Sequence, residues 1–437
     1  MPYAAPSPPI PDDASTLVAL EGSASGATYS PDRRAGLDRV DGRPLLARYD
    51  LARAAARLHP ATLARRRRGG LWRWAELLPV RSAVNVVHLG EGATPLLHAR
   101  RLGRALGLDR LLVKCEGCNP TGSLKARGMA VAVSRARELG ASEFVVPSAG
   151  NAGGALAAYA AAAGLPATVL MPVDAPLSHR AEVLVCGARL VLVEGTITDC
   201  GRLAQGLADL SGACDLATLK EPYRLEGKKT MGFELAEDLG GGAGPDTGGG
   251  PPWRLPDVLA YPTGGGTGLI GMWKAFDELE AVGLVGAARP RLVAVQAAGC
   301  APLVRAFDTH AWGAAPWPEA VATRAAGLRV PATVGDALVL QALRASGGTA
   351  VAVPEAEIDA HQRLAGRLGL GYVAPESAAV LAALAVLVER DWIDPAEEVV
   401  ALDTASGVRD PRPPGLPEPP LVAGGEDDPE RVLALLG

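Results

Sequence analysis

Lys125 follows a tight turn and precedes a predicted helix, a position in which a lysine amine can become a nucleophile. The segment reads Asn-Pro-Thr-Gly-Ser-Leu-Lys-Ala-Arg-Gly over residues 119–128. Burial and nearby positive charge lower the pKa of a lysine, and the helix N-terminus together with Arg127 would supply that charge. Lys125 could therefore form a Schiff base with a carbonyl compound, although a surface lysine at a helix N-terminus would show the same spacing.

Two other segments have the composition of anion-binding loops between a strand and a helix. Because free backbone N–H groups at a helix N-terminus attract anions, the first would suit a carboxylate and the second a phosphate. The second lacks the Gly-Lys-Ser/Thr of a Walker A loop and the spacing of a dinucleotide-binding fingerprint. The first loop consists of Ser148, Ala149, Gly150, Asn151 and Ala152. The second loop consists of Gly264, Gly265, Gly266, Thr267 and Gly268.

Together with Asp403–Gly407, these segments resemble the ordered motifs of fold-type II pyridoxal 5′-phosphate (PLP) enzymes, in particular the threonine synthase family. The resemblance covers roughly residues 90–410, and the ordered set is much more specific than any single motif. It implies an α/β fold like that of the tryptophan synthase β chain. Two parallel-sheet domains would hold the cofactor in the cleft between them.

The resemblance also implies a role for each segment. Lys125 would hold PLP as a Schiff base and later serve as general acid and base. Asn151 would hydrogen-bond the 3′-oxygen of PLP, and the loop from Gly264 to Gly268 would hold its 5′-phosphate. Thr404, with Ser406 as the alternative, would meet the pyridine nitrogen. The amino-acid substrate would contact Ser123, Ser148, Ala149, Gly150, Asn151 and Ala152.

The residues next to the lysine depart from the family pattern, which usually has Phe before it and often Asp after it. Leu124 can still pack as the Phe would. Ala126 cannot make any contact that the Asp carboxylate makes in the family, so the resemblance defines the substrate less closely. The segment Glu226–Thr230 resembles threonine synthases more than dehydratases. In it, Lys229 would meet a substrate phosphate, although a solvated charge pair explains Lys228 and Lys229 almost as well.

The reaction implied by the resemblance is that of a PLP-dependent carbon–oxygen lyase. It would convert O-phospho-L-homoserine and water to L-threonine and phosphate by γ-elimination and β-addition. One alternative is a related β-eliminating or β-replacing enzyme, such as a serine/threonine dehydratase or a cysteate-synthase-like enzyme of a specialised pathway. Another is a protein that binds PLP or a ligand without turnover, which the intact Lys125 and Asn151 argue against.

The elements that must position these residues alternate between short strands and helices of about 10–15 residues, a pattern typical of parallel βαβ units. Strands are predicted at 111–113, 144–146, 167–171, 190–193, 258–261, 292–296, 350–353 and 399–402. Helices are predicted at 127–139, 152–163, 177–186, 199–210, 269–279, 301–306 and 377–388. Helix-like patterns also occur around Tyr49 and over 72–78.

The alternation predicts a large PLP-binding domain, 70–128 with 216–410, into which a small substrate-binding domain, 129–215, is inserted. Residues 1–69 are predicted to form a partly disordered extension, a zinc-ribbon-like remnant without metal, with residues 1–15 disordered. A Gly-rich insertion at 239–252 and a Pro-rich tail at 411–437 complete the predicted organisation.

The composition fits an enzyme that acts on small molecules. The 437 residues carry a formal net charge of −5, without the basic bias of a nucleic-acid-binding protein. Six cysteines form neither a disulfide framework nor a zinc-ribbon spacing. The N-terminus lacks a signal-peptide pattern, and Gly and Pro interrupt the uncharged stretch 147–173. We therefore expect a cytoplasmic homodimer that acts on a small amino acid, without nucleic-acid, membrane or metal partners.

Overall fold

The computed structural model describes residues 11–240, 252–318, 323–411, 413, 414 and 416. Its strands form three sheets, two of which carry the parallel core of the molecule. The strands are β1 Leu17–Gly22, β2 Thr28–Tyr29, β3 Leu45–Tyr49, β4 Leu96–His98, β5 Arg110–Cys115, β6 Phe144–Pro147, β7 Ala167–Pro172, β8 Arg189–Val193, β9 Cys214–Asp215, β10 Val258–Pro262, β11 Arg291–Ala297, β12 Thr349–Val353 and β13 Glu398–Asp403. The helices are α1 Leu51–Ala55, α2 Pro60–Arg65, α3 Arg100–Leu106, α4 Lys125–Glu138, α5 Asn151–Ala163, α6 Leu177–Val185, α7 Ile197–Ser211, α8 Tyr223–Leu239, α9 Thr267–Ala281, α10 Pro302–Asp308, α11 Asp336–Ala345, α12 Glu355–Arg367 and α13 Pro375–Glu389.

The larger sheet has the strand order β12-β11-β10-β13-β5-β4, with only the edge strand β4 antiparallel to its neighbour. One face packs against α3, α12 and α13, and the other packs against α8, α9, α10 and α11. Central strands such as β10 are buried at every position. Continuous apolar runs are expected of parallel strands that helices cover on both faces.

The smaller sheet is wholly parallel and has the order β8-β7-β6-β9. In chain order its four strands lie between β5 and β10 of the larger sheet. The predicted α/β class with two parallel-sheet units is therefore confirmed. The exact division of the domains at 128/129 and 215/216 stays a prediction.

The N-terminal region contains more regular structure than the sequence indicated. Residues 17–49 include a three-stranded antiparallel sheet with the order β2-β1-β3. The prediction of disorder is wrong for Ala14 and Ser15, which are buried, and the Ser15 hydroxyl donates to the carbonyl of Leu78 at 2.5 Å. The helical pattern predicted around Tyr49 is wrong at that residue, because Tyr49 ends β3.

Several other predictions concern segments of unusual composition. Residues 1–10 lie outside the described residues, as do most of the predicted insertion at 239–252 and most of the tail at 411–437. Within the described ranges, no helix combines the length and the apolar character needed to cross a membrane. The uncharged stretch 147–173 forms the end of β6, then α5 and β7. Among all the residues that the structure describes, no group of three or more His, Cys, Asp and Glu side chains could hold a metal ion.

Candidate active site

A cavity of about 520 Å³ lies where strand ends and helix N-termini of the two parallel sheets converge. Its wall includes Lys125 at the start of α4, Asn151 at the start of α5 and Thr267 at the start of α9. The ends of β6 and β10 and the residue after β13, Thr404, also belong to the wall. Open α/β sheets bind ligands beyond the carboxyl ends of their strands, so this cavity is the candidate active site.

Lys125 is the lysine of the cavity wall for which the sequence predicts a Schiff base. Its side chain is partly exposed because it opens into the cavity, and its amine has no hydrogen-bond or ion-pair partner among the described residues. Removal from bulk water lowers the pKa of Lys125 to about 8, with a further contribution from the charge of Arg224 and an opposing one from Glu376. An amine with this pKa is partly neutral near pH 7, as a Schiff-base nucleophile must be.

The positive charge that acts on Lys125 comes from Arg224 and not, as the sequence indicated, from Arg127. Arg127 is fully buried, and its guanidinium lies 2.6 Å from a carboxylate oxygen of Glu116 and 2.7 Å from one of Glu234. These two carboxylates neutralise Arg127, so the predicted role of its charge is wrong. Arg224, buried in α8, supplies the charge instead.

The first predicted anion-binding loop lines the cavity over its whole length, from Ser148 to Ala152. The Ser148 hydroxyl accepts the N–H of Gly153 at 2.9 Å, which fixes the turn before α5. Asn151 begins that helix, and its buried Oδ1 has no hydrogen-bond partner in the described structure. Because a buried polar atom without a partner is costly, the Asn151 amide is arranged for a bound group.

Four residues of the second predicted loop, from Gly264 to Thr267, also line the cavity. Gly266 has a φ of 77°, which side chains of L-residues rarely adopt, and a Cβ on Gly264 would lie 2.1 Å from a backbone carbonyl oxygen. The buried Oγ1 of Thr267 has no partner among the described residues. Gly268 is not among the residues of the wall, and a Cβ there would lie 2.0 Å from the hydroxyl of Tyr261, so its contact with the cofactor stays a prediction.

Thr404 lines the cavity, whereas the alternative Ser406 does not. The backbone N–H of Ser406 instead donates to the carbonyl of Gly122 at 3.0 Å and fixes the preceding turn. Ser123 is buried outside the cavity wall, and its Oγ accepts the backbone N–H of Lys125 at 3.4 Å. Ser123 thus contacts the start of α4, and its predicted contact with the substrate stays a prediction.

Comparisons with known proteins agree with this geometry. The family model described as pyridoxal-phosphate dependent enzyme matches residues 87–405. The threonine synthase of Methanocaldococcus jannaschii is 37% identical over 350 residues, which cover 79% of this chain and 82% of that protein. The chain belongs to the threonine synthase family of PLP-dependent enzymes. A further member, the threonine synthase of Mycobacterium tuberculosis, is 33% identical over 365 residues, or 83% of this chain and 94% of that protein.

Solved structures of PLP-dependent relatives have the same fold as this member of the threonine synthase family. Maize serine racemase aligns with a TM-score of 0.59 at 21% identity, over 72% of this chain and 88% of that one. The processed form of threonine deaminase isoform 2 from Solanum lycopersicum aligns with a TM-score of 0.58 at 20% identity, over 74% and 85%. These alignments confirm the predicted fold class.

The PLP cofactor of this family fits the residues that line the cavity. Lys125 offers an amine without a partner, and Asn151 and Thr267 each leave a buried polar atom unsatisfied. The Gly264–Gly266 backbone is free of side chains and leads into the N-terminus of α9, an arrangement that suits a phosphate group. Lys125 would hold the aldehyde carbon, the glycine-rich loop and Thr267 the phosphate, and Asn151 with Thr404 the ring.

We expect Gly264→Ala to weaken PLP binding by roughly 10- to 100-fold, because the added methyl group must displace a backbone carbonyl at a cost of about 1–3 kcal/mol. Titration of the apoenzyme with PLP, followed by absorbance, measures this change. Gly206→Ala is the matched control, because a Cβ at Gly206 in α7 would meet no atom within 4 Å. Equal dissociation constants for the two variants would contradict the assignment of the loop.

Lys229 lies outside the cavity, so its predicted contact with a substrate phosphate is wrong. Its buried amine lies 2.5 Å from Glu226 and 2.9 Å from Glu278, in ion pairs within the helical layer. The preceding residue, Lys228, lines the cavity instead and is only 3% exposed. Burial lowers the pKa of Lys228 well below its usual value, and the charges of Lys125 and a neighbouring arginine add to this effect.

Residues that the sequence did not single out as functional also line the cavity, among them His179, Glu376 and Asp410. His179 is buried and lines the cavity. Glu376 stands in the first turn of an apolar helix that is buried over most of its length. An acidic residue within the apolar run of this helix, far from its second glutamate at the C-terminal end, is the signal that could have indicated Glu376.

Proposed function

We propose that this chain acts as a threonine synthase, which releases phosphate from O-phospho-L-homoserine and adds water to give L-threonine. Membership of the family and the names of the curated relatives support the proposal. Three lysines line the cavity, Lys125, Lys220 and Lys228. The observation that carries the proposal is that removal from water lowers the pKa of two of them, Lys125 and Lys228, neither of which has an ion-pair partner among the described residues. A substrate with an amino acid at one end and a phosphate at the other matches this pair.

Each residue of the site has a distinct task in this reaction. PLP, when bound, supplies an electron sink for the electron pair left on the substrate's α-carbon. The Lys125 amine removes the α-proton and a β-proton and returns protons to carbon, which its lowered pKa of about 8 favours. Backbone N–H groups of the loop from Ser148 to Ala152 hold the α-carboxylate at the N-terminus of α5.

Lys228 is placed to hold the phosphate of the substrate. Its buried amine gains a positive charge most readily when an anion enters the cavity, because only then is the charge compensated. A hydrogen bond to a charged group in such a site contributes about 1.5–3 kcal/mol. The phosphate is thereby fixed at a defined distance from Lys125, and the bond that must break is oriented relative to the proton-transferring amine.

We infer that an ion pair across the rim of the cavity helps to limit the access of water during turnover. Arg329 lines the cavity, and its Nη1 lies 2.8 Å from Oδ2 of Asp174, which follows β7 of the smaller sheet. This ion pair links the loop after residue 326 to the smaller sheet. Water must be excluded until the phosphate has left, and a closed rim serves that purpose.

The test is to incubate purified enzyme with PLP and, separately, O-phospho-L-homoserine, L-serine and L-threonine. Phosphate release, threonine formation and keto-acid formation are followed in each mixture. Phosphate and threonine without keto acid from the phosphorylated substrate are expected. Keto acid from serine or threonine, without phosphate turnover, would instead identify a dehydratase.

Lys228→Met is expected to raise KM for O-phospho-L-homoserine by about 10- to 100-fold, because the variant loses a charged hydrogen bond to the phosphate. Steady-state kinetics on the holoenzyme measure this change. Lys229→Met is the matched control in the adjacent position. It breaks the ion pairs with Glu226 and Glu278 and should reduce stability, with a much smaller change in KM of the folded fraction. A selective KM effect at Lys229 would contradict the assignment.

We also propose a cytoplasmic homodimer. All six cysteines are free thiols in the structure, which agrees with a reducing compartment. Size-exclusion chromatography with light scattering tests the dimer, since a mass near 45 kDa, that of one chain, would contradict it.

A further inference from the structure

Glu376 presents an unpartnered carboxyl oxygen at the cavity wall. The residue lies in the first turn of α13 and is 7% exposed. Its Oε1 accepts the backbone N–H of Gly327 at 2.7 Å, so the carboxyl group is held in place. Its Oε2 is buried and has no hydrogen-bond partner among the described residues, although the side chain lines the cavity. One oxygen is therefore anchored and the other is available to a bound group.

Two further groups beside the same cavity have buried atoms without partners. Asp410 and His179 both line the cavity, with Asp410 Oδ1 lying 3.8 Å from Nε2 of His179. Asp410 Oδ2 and His179 Nδ1 have no partner in the described structure. The neighbouring Arg409 does not compensate Asp410 by an ion pair, because its guanidinium contacts Glu182 and the carbonyl of Thr121. The Asp410 side chain therefore lies close to Glu376 without an ion pair to an arginine or a lysine among the described residues.

The charged groups that act on Glu376 come from two directions. Asp410 approaches from the segment after β13, and Lys125 faces Glu376 from α4. The helix packed along α13, α12, contributes an uncharged contact, in which Gln362 Nε2 donates to the carbonyl of Val373 at 2.8 Å. At the end of β13, the buried Asp403 interacts with the hydroxyl of the residue that follows Glu376.

Burial and the charge of Asp410 favour the protonated form of Glu376. They raise the pKa of Glu376 to about 7, against the opposing effects of the Gly327 N–H and of Lys125. A carboxylic acid with a pKa near the working pH can both donate and accept a proton during one turnover. The geometry leaves Oε2 as the atom through which such a proton would move.

We propose that Glu376 is a catalytic acid and base that protonates the leaving oxygen of the substrate and later deprotonates the incoming water. The proposal rests on the proposed function. As the bond between Cγ and oxygen breaks, its electron pair stays on the oxygen, which takes the proton of Glu376, and hydrogen phosphate leaves. Water then forms its bond to Cβ and gives one proton to the Glu376 carboxylate, which restores the acid. The protons on carbon are transferred by Lys125.

In this arrangement Asp410 is a positioning residue that keeps the proton on Glu376. The two tasks of Glu376 and Lys125 require groups of different type. Lys125 transfers the protons that are bound to carbon. The proton given to the leaving oxygen and the proton taken from water need a group that carries no permanent charge. A phosphate leaving group is repelled by a carboxylate but not by a carboxylic acid, so turnover requires the protonated form of Glu376 at the start.

The test begins with Glu376→Gln, which retains an oxygen for the Gly327 N–H but cannot donate an acidic proton. We expect kcat for phosphate release to fall about 100-fold or more with little change in KM. In the wild type, kcat should decline as the pH rises through about 7, because Glu376 loses its proton. This decline should be absent in Glu376→Gln.

Asp410→Asn provides a second variant with a directional readout. Removal of the negative charge lowers the pKa of Glu376, so the alkaline decline of kcat should move to lower pH. Glu221→Gln is the matched control, since burial raises the pKa of Glu221 to about 7 as well, but this residue lies outside the cavity wall. Its pH profile should keep the decline at the wild-type position. A merely structural role for Asp410 would reduce activity without this shift.

Infrared difference spectroscopy of the holoenzyme during a pH titration gives a readout independent of turnover. Burial raises the pKa of Glu221 and Asp403 to about 7 as well, so their carbonyl bands are cancelled by subtracting the spectrum of Glu376→Gln from that of the wild type. The carbonyl band that remains in this difference should disappear as the pH rises through about 7. Absence of this band would overturn the proposal, as would an unchanged kcat and pH profile in Glu376→Gln while the wild type releases phosphate. If the wild type releases no phosphate from O-phospho-L-homoserine, the proposed function fails first and this role fails with it.

Discussion

Lys125→Ala is expected to lose more than about a thousandfold in turnover, the largest effect of any single substitution in this chain. The variant loses the group that holds the cofactor and the group that transfers the protons on carbon. We do not expect either of the other two lysines that line the cavity to replace it, because Lys228 is deeply buried in α8 and assigned to the phosphate, and Lys220 comes from the loop between β9 and α8 and not from the turn before α4. Phosphate release from O-phospho-L-homoserine under saturating PLP measures the loss.

The covalent attachment can be tested without turnover. Borohydride reduction of the holoenzyme, followed by peptide mass spectrometry, should place the mass of the reduced cofactor on the peptide that contains Lys125. Lys228→Met is the matched control and should keep the label on Lys125, because the substitution leaves that amine in place. A label on Lys228 in the wild type, or a labelled peptide in Lys125→Ala, would refute the assignment of the reactive lysine.

The parallel sheets and the cavity loops were predictable because their signals are local. The run predicted as a strand at 258–261 is β10, Val258–Pro262, since apolar and β-branched residues bounded by Pro and Gly fit a buried strand. Asn151 and Thr267 follow strands and begin helices, so sequence order alone brings them to the same edge of the fold. Because crossover connections between parallel strands are almost always right-handed, few other arrangements of these strands and helices are possible.

Helix α8 was not predicted from the sequence. Because this helix was missed, the contact with the substrate phosphate was assigned to Lys229 and not to Lys228. The helix runs from Tyr223 to Leu239 and is buried on almost every side, including its charged residues. An amphipathic pattern needs one face in water, and here both faces are covered. Ion pairs such as that of Lys229 with Glu226 compensate the buried charges. The residue pattern therefore does not indicate which of two adjacent lysines faces the cavity.

The part of the cavity wall that contains Glu376 and Asp410 could not be predicted for a different reason. His179, Glu376 and Asp410 come from α6, α13 and the segment after β13, and only the tertiary structure brings them together. No spacing in the chain relates them. The same holds for Arg224, whose effect on Lys125 depends on the packing of α8 against α4.

Arg127→Met is expected to destabilise the protein by about 3–5 kcal/mol, the largest effect on folding that we predict, because it leaves the buried Glu116 without a cation and Glu234 with Lys114 alone. Burial alone would lower the pKa of Arg127, but Glu116 and Glu234 outweigh it and raise the pKa above its usual value. Arg127 also donates to Thr94 Oγ1 at 3.0 Å. The midpoint of denaturant unfolding of the apoenzyme measures the loss.

A surface ion pair provides the control for this prediction. Arg48 contacts Glu21 at 2.9 Å across two strands, and both side chains are about one-third exposed or more. Arg48→Met should therefore cost less than about 1 kcal/mol. The double variant Arg127→Met/Glu116→Met should recover part of the stability lost in Arg127→Met, since it removes the carboxylate left without a cation, whereas Glu234 keeps Lys114 at 3.2 Å. No recovery would mean that packing, and not charge compensation, is the main contribution of Arg127.

The position of this network connects stability with catalysis. Arg127 lies two residues after Lys125 in α4, and Glu116 precedes the turn that leads to that helix. Loss of the network should therefore loosen the start of α4 as well as lower global stability. We expect Arg127→Met, measured below its unfolding transition, to bind PLP more weakly than Arg48→Met. Equal PLP affinity in the two variants would show that the turn keeps Lys125 in place without help from Arg127.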